Sequence, residues 1–218
     1  DMENIELCMV QFPGRESRSQ EEAIIDKEEL LEKLCDVIEI YDDKPFSIYG
    51  HSFGGGVGFN LSVALKKRGI QPHHLFIGAS PAPHAPDILS SKIQPHKYDS
   101  VEDIPSQGVL DLLKSMGHEE TLLSDKSWVH NSMPALKADA FLMRHKGDSA
   151  QEYVECPLTV FAGTQDTALP ADTLMKGWKR YSKTQFNFVK VPGGHFFIGD
   201  AQAKKQVVGH IQKVLMET

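Results

Sequence analysis

Apolar positions along the chain follow two rhythms that alternate. Ile5 to Val10 is a short apolar run closed by Gln11-Phe12-Pro13-Gly14, and it predicts a buried strand entering a turn. From about Ser19 to Tyr41 the period lengthens. Ile24, Ile25, Leu30, Leu31, Leu34, Cys35, Val37 and Ile38 recur at three- and four-residue steps among Glu, Lys and Asp, which predicts an amphipathic helix. Pro45 to Tyr49 reads as a second strand, a helical stretch follows to about Lys67, and Leu75 to Ala79 reads as a third strand. Strand, helix, strand, turn, helix, strand is the order of a parallel sheet with helical crossovers.

From Ser80 to about Glu155 no strand pattern occurs, but helical ones do. Ser106 is placed to cap a helix carrying Val109, Leu110, Leu112, Leu113 and Met116, and another runs through Leu136, Ala140 and Met143. The alternation then resumes with a strand over Leu158 to Ala162, a helix near Ala171 to Tyr181, a strand over Phe186 to Val191 and a helix from about Ala201 to Met216. The expectation is one α/β domain over 1–218, its sheet interrupted by a helical lid at about 84–154. No repeat or low-complexity tract divides it.

Gly50-His51-Ser52-Phe53-Gly54 is a G-x-S-x-G pattern, which arises by accident in roughly one chain of this length in ten. Its setting adds the weight: a strand runs directly into it and a helix leaves it. There a serine sits on a sharp, strained turn, and side chains at positions 50 and 54 are expected to collide with nearby backbone unless they are glycine. The helix opens Gly54-Gly55-Gly56-Val57-Gly58, although each helical glycine costs about 1 kcal/mol relative to alanine. Close packing under the sheet, with the helix N-terminus aimed where negative charge develops, offsets that cost. A plain glycine-rich turn is the rival reading. A phosphate-binding loop is not, because Walker spacing and its Gly-Lys-Ser/Thr ending are missing.

A serine hydroxyl needs a base and an orienting carboxylate. His195, in Pro192-Gly193-Gly194-His195-Phe196-Phe197, follows the last strand and lies at the same sheet edge as Ser52. His51 adjoins the nucleophile but should point to the other side of the elbow as a structural residue. The other histidines, at 73, 74, 84, 96, 118, 130, 145 and 210, read as surface or satisfied core groups. Asp166 follows the strand at 158–162 through Gly163-Thr164-Gln165; Asp172 falls in or before the next helix, and Asp139 and Asp148 in the insertion. Incidental loop roles are the rival readings of His195 and Asp166.

Composition narrows the partners. Lys and Arg number 23 against 30 Asp and Glu, leaving a formal charge of −7, and the longest basic run is Lys66-Lys67-Arg68. A nucleic-acid binder needs a basic face, so that class is excluded. With 40% hydrophobic and 24% charged residues the chain has a globular composition. No apolar run spans a bilayer and no basic leader opens the sequence, so the expectation is a cytoplasmic protein without membrane contact. Cys8, Cys35 and Cys156 are three scattered cysteines, expected as buried free thiols and not as metal ligands.

Six blocks then carry a resemblance: Gln11-Phe12-Pro13-Gly14-Arg15, Gly50-His51-Ser52-Phe53-Gly54-Gly55, Ser80-Pro81-Ala82-Pro83-His84, Leu136-Lys137-Ala138-Asp139, Gly163-Thr164-Gln165-Asp166 and Gly193-Gly194-His195-Phe196-Phe197. In order and spacing they resemble the type II thioesterases, the editing hydrolases of nonribosomal peptide and polyketide synthases. The resemblance implies an α/β-hydrolase fold, a mostly parallel sheet flanked by helices. It also implies a triad of Ser52, Asp166 and His195, with the Phe53 backbone N–H as an oxyanion donor. It implies no metal or diffusible cofactor, and as substrate an acyl group on the phosphopantetheine arm of an acyl or peptidyl carrier protein domain. A monomer is expected. The family's second oxyanion donor belongs to a loop upstream of Ile5, after a strand lying between those of Ile5 to Val10 and Phe46 to Tyr49. Further residues before Asp1 are therefore expected. The same elbow also serves carboxylesterases and lipases, and a non-catalytic carrier-protein-binding module is the reading outside catalysis.

Overall fold

The computed structural model describes residues 5–41, 43–83, 93–143 and 152–217. Four strands, β1 (Ser47–His51), β2 (His74–Gly78), β3 (Leu158–Gly163) and β4 (Phe186–Val191), form a sheet in the order β1-β2-β3-β4 with every pairing parallel. Side chains alternate across it. Leu75, Ile77, Leu158 and Val160 join one core cluster with Phe59, Trp178 and Tyr181, while Phe76, Phe161 and Val191 join a second with Phe197, Ala203 and Val207. Covered on both faces, β2 and β3 need apolar residues at nearly every position, hence their continuous runs in the sequence.

Helix α1 (Lys27–Ile40) starts later than its apolar pattern, because Asp26 caps it: the carboxylate accepts from the Glu29 N–H at 2.8 Å. Its Cys35 packs with Leu61 and Leu65 of α2 (Phe53–Lys67). Between β2 and β3 come α3 (Ser106–Ser115), the single turn α4 (Glu120–Leu123) and α5 (Lys126–Met143). Ser106 is the first residue of α3 and not its cap, which is Pro105, with no side-chain cap bond. These helices have a core of their own, with Ile93, Ile104, Val109, Leu112, Met133 and Phe141 packed together, so most of the apolar residues in the insertion serve packing. The edges of the expected insertion, 84–92 and 144–151, lie outside the described residues, as do His84, His145 and Asp148. Helix α6 (Ala171–Trp178) leads toward β4, and α7 (Ala201–Met216), capped by Asp200 through the Ala203 N–H, closes the described chain.

The expected strand at Ile5 to Val10 does not form. A strand exists through its pairing, and among the described strands β1 pairs only with β2; residues 6–10 are irregular and exposed, Leu7 at 70% and Met9 at 83%. Cys8, expected to be buried, is exposed with them, whereas Cys35 and Cys156 are buried. Among the described residues no helix is long and apolar enough to cross a membrane.

Candidate active site

Because all four strands run in parallel, the loops leaving β1, β3 and β4 emerge along one edge of the sheet, where ligand sites of open α/β sheets form. Ser52 follows β1 and precedes α2 with φ 52° and ψ −118°, a conformation that strains any side-chain-bearing residue. A Cβ on Gly50 would lie 2.1 Å from the Gly54 carbonyl oxygen, so this glycine is what lets the chain turn back on itself. Gly54 differs from expectation, because a Cβ there would meet nothing within 4 Å. The second tight position is Gly55, whose Cβ would lie 2.5 Å from Ser80 Cβ: α2 abuts the end of β2 one residue later than the pattern suggests.

The three candidates meet. His195 Nε2 lies 2.8 Å from Ser52 Oγ, and His195 Nδ1 lies 2.9 Å from Asp166 Oδ2. The second carboxylate oxygen, Oδ1, accepts from the backbone N–H groups of Ala168 at 3.0 Å and Leu169 at 2.9 Å, which fixes the plane of the group. His195 and Asp166 are 2% and 6% exposed. A carboxylate accepts, so Nδ1 carries the imidazole proton, Nε2 is left as the acceptor, and the Ser52 hydroxyl donates to it. Such an arrangement is able to take a proton from an alcohol and hold the resulting charge against a buried carboxylate. Phe53 opens α2, so its N–H belongs to the first turn, whose donors have no partner inside the helix and suit a site of negative charge.

Around this centre lie residues whose roles the sequence left open. The Phe53 ring meets Phe12 edge to face, and the Arg15 guanidinium lies 5.4 Å from the Phe12 ring and 6.0 Å from the Phe53 ring. Arg15 also pairs with Asp139 of α5 beside a small cavity that Leu30 and Leu142 help to line, so two of the six blocks meet behind the elbow. Burial pushes Asp139 up to about 7, with Arg15 pulling against it. At the front, Phe196 packs its ring against both His195 and His118, each at 5.0 Å between centroids, and His118 in turn meets Trp128 at 5.6 Å. Phe196 stands in one of the six blocks, but His118 carries no pattern that marks it; only the juxtaposition of the insertion with the His195 loop does. His74, inside the core, satisfies its Nε2 with Thr159 Oγ1 at 2.8 Å.

A family model described as a thioesterase domain matches residues 1–215. The gramicidin S biosynthesis protein GrsT of Aneurinibacillus migulanus is 30% identical over 200 residues, an alignment covering 91% of this chain and 74% of that protein. The human medium-chain S-acyl fatty acid synthase thioesterase is 27% identical over 216 residues, covering 97% and 77%. Among solved structures, RedJ, a thioesterase from the prodiginine biosynthetic pathway in Streptomyces coelicolor, superposes with a TM-score of 0.78 at 22% identity, covering 94% of this chain and 77% of that one. At that identity the superposition speaks for the fold.

Proposed function

The chain belongs to the thioesterase domain family, and from that premise we propose that it removes acyl groups from the phosphopantetheine arms of carrier proteins in nonribosomal peptide or polyketide biosynthesis, through an acyl-Ser52 intermediate. The observation that carries this reading is the continuous hydrogen-bonded line from Ser52 Oγ through His195 to Asp166. In the first half-reaction His195 Nε2 takes the Ser52 proton as Oγ attacks the thioester carbonyl carbon. Asp166 holds the imidazolium, and the Phe53 N–H donates to the oxyanion. The tetrahedral intermediate collapses by breaking the C–S bond, and His195 returns the proton to the leaving thiolate. Water then attacks the acyl-serine with His195 as base, and the carboxylic acid departs, leaving Ser52 and the carrier thiol free.

The helices between β2 and β3 form the lid in this reading. Their separate core supports a unit that packs over the sheet edge, and the contact of His118 with Phe196 brings it to the residue after the base. The carrier protein as partner is supported by the relatives, among them the gramicidin S biosynthesis protein GrsT and the Streptomyces venezuelae thioesterase PikA5.

Carrier proteins loaded with different acyl groups, mixed with the protein and read by intact mass, test the proposal. The expected result is conversion to free-thiol carrier. Rapid cleavage of short free esters with little effect on acyl carriers would instead favour a carboxylesterase.

A further inference from the structure

We infer that His51, braced by Tyr49, is a positioning residue for the reaction: it holds the main chain of His195 so that the imidazole stays in line between Asp166 and Ser52. The inference rests on the reading of those three residues as a catalytic triad.

The His51 side chain has a specific partner in the His195 loop, whose imidazole its ring meets edge to face at 5.9 Å between centroids. Its Nε2 lies 2.8 Å from the backbone carbonyl oxygen of His195, and its Nδ1 lies 3.2 Å from the Tyr49 hydroxyl. A carbonyl only accepts, so Nε2 carries the hydrogen; in the neutral ring Nδ1 then accepts from Tyr49 O–H. Burial keeps both groups in these forms. It pushes the His51 imidazole down to about 4, outweighing the upward pull of the His195 carbonyl contact and of Asp166, and it raises the Tyr49 phenol, whose hydroxyl end faces inward although the residue is 37% exposed.

Room for this network is built into the sheet. Tyr49 and His51 share one face of β1, and the register sets His51 across from Gly78 of β2. A Cβ on residue 78 would lie 2.8 Å from His51 Nδ1, 2.9 Å from the Tyr49 hydroxyl and 3.3 Å from Phe197 Cζ, so the two side chains occupy space that only glycine leaves open. Phe197 closes the other side with its ring edge to face at 4.8 Å.

The loop needs such an anchor. His195 follows Gly193, at φ 102°, and Gly194, two residues with wide backbone freedom. The Gly193 carbonyl accepts from the Gln165 N–H at 2.9 Å and the Gly194 carbonyl from the Phe197 N–H at 3.3 Å. The His195 carbonyl is held by His51. Both ring nitrogens of His195 are committed to Ser52 and Asp166, so their alignment follows the main chain, and a displacement of about 1 Å at such a centre costs on the order of 100-fold in rate.

The test compares His51→Phe, His51→Gln and Tyr49→Phe with wild type and Ser52→Ala on a short acyl N-acetylcysteamine thioester, with rates normalised to folded protein by circular dichroism. His51→Phe is expected to lower kcat by about 10- to 100-fold with KM within about twofold. It should also move the acid limb of the kcat/KM profile to lower pH, because a loosened Asp166 contact stabilises the imidazolium less. His51→Gln, which keeps a donor, should restore most of kcat; Tyr49→Phe should lose several-fold. Wild-type kcat and an unmoved acid limb in His51→Phe would overturn the inference. If that variant does not fold, wild-type kcat and an unmoved acid limb in Tyr49→Phe, which takes the brace from His51 Nδ1, would overturn it equally. Turnover by Ser52→Ala at the wild-type rate would instead defeat the triad reading beneath it.

Discussion

Arg15 and Asp139 stand 124 residues apart in the sequence and form an ion pair behind the nucleophile's turn, with the arginine also against the ring of Phe53. The pair links the segment before α1 to α5 of the insertion beside Phe53, the residue after Ser52. Removing one partner leaves the other partly buried and unpaired, which costs on the order of 2 kcal/mol at this degree of exposure. Arg15→Met should therefore lower the urea midpoint, and less so at pH 6 than at pH 8, because without its partner the Asp139 carboxyl is protonated more readily. Equal destabilisation at both pH values would contradict this.

Stability should also fall on acidification. His51 and His74 are both held down to about 4 by burial, against an ordinary value of 6.5. Between those values the unfolded chain binds the protons that the folded chain excludes, so the stability they contribute is present above about pH 6.5 and is lost as the pH drops toward 4. Urea unfolding followed over that window should show a falling midpoint. His74→Gln should flatten the curve while lowering stability at neutral pH.

Two neighbouring glycines should respond in opposite ways to alanine. Gly50→Ala places a methyl within 2.1 Å of the Gly54 carbonyl, so it should abolish soluble, active protein. Gly54→Ala meets nothing and lies inside α2, where alanine is favoured by about 1 kcal/mol. Its Tm should rise by a few degrees with activity retained, and a loss as severe as that of Gly50→Ala would refute the account of the elbow.

Phe196 joins the His195 loop to the insertion through His118. An aromatic contact of this kind contributes about 0.5–1.5 kcal/mol beyond burial, equivalent to about 2- to 12-fold in a local opening constant. Phe196→Ala should accelerate amide hydrogen exchange at 118–128 by that factor while leaving β2 and β3 unchanged. Unchanged exchange at 118–128 would show that the contact does not restrain the insertion.

Much of this architecture was legible from side-chain pattern. The bounds of β4 and α7 coincide with their apolar runs, because a strand covered on both faces and a helix with one buried stripe must place apolar residues at those periods. Ser52, Asp166 and His195 could be found because each follows a strand, and parallel strands deliver such residues to one edge. Ile5 to Val10 misled for the converse reason: an apolar run carries no information about whether a partner strand lies beside it. The tolerance of Gly54, the cap at Asp26 and the partner of His51 were equally hidden. The first and last depend on contacts with main-chain atoms that are not visible in the pattern, in the case of His51 a carbonyl 144 residues away, whereas Asp26 followed by Glu29 is a local cap signal that the longer apolar period masked.

The most direct test of the central claim is to locate the acyl group in the covalent intermediate. Protein mixed with acyl-loaded carrier, acid-quenched within a turnover and digested for peptide mass analysis should carry the acyl mass on the peptide containing Ser52, with none in Ser52→Ala and little in His195→Ala. An acyl adduct on another residue, or normal release of acid by Ser52→Ala, would contradict the account.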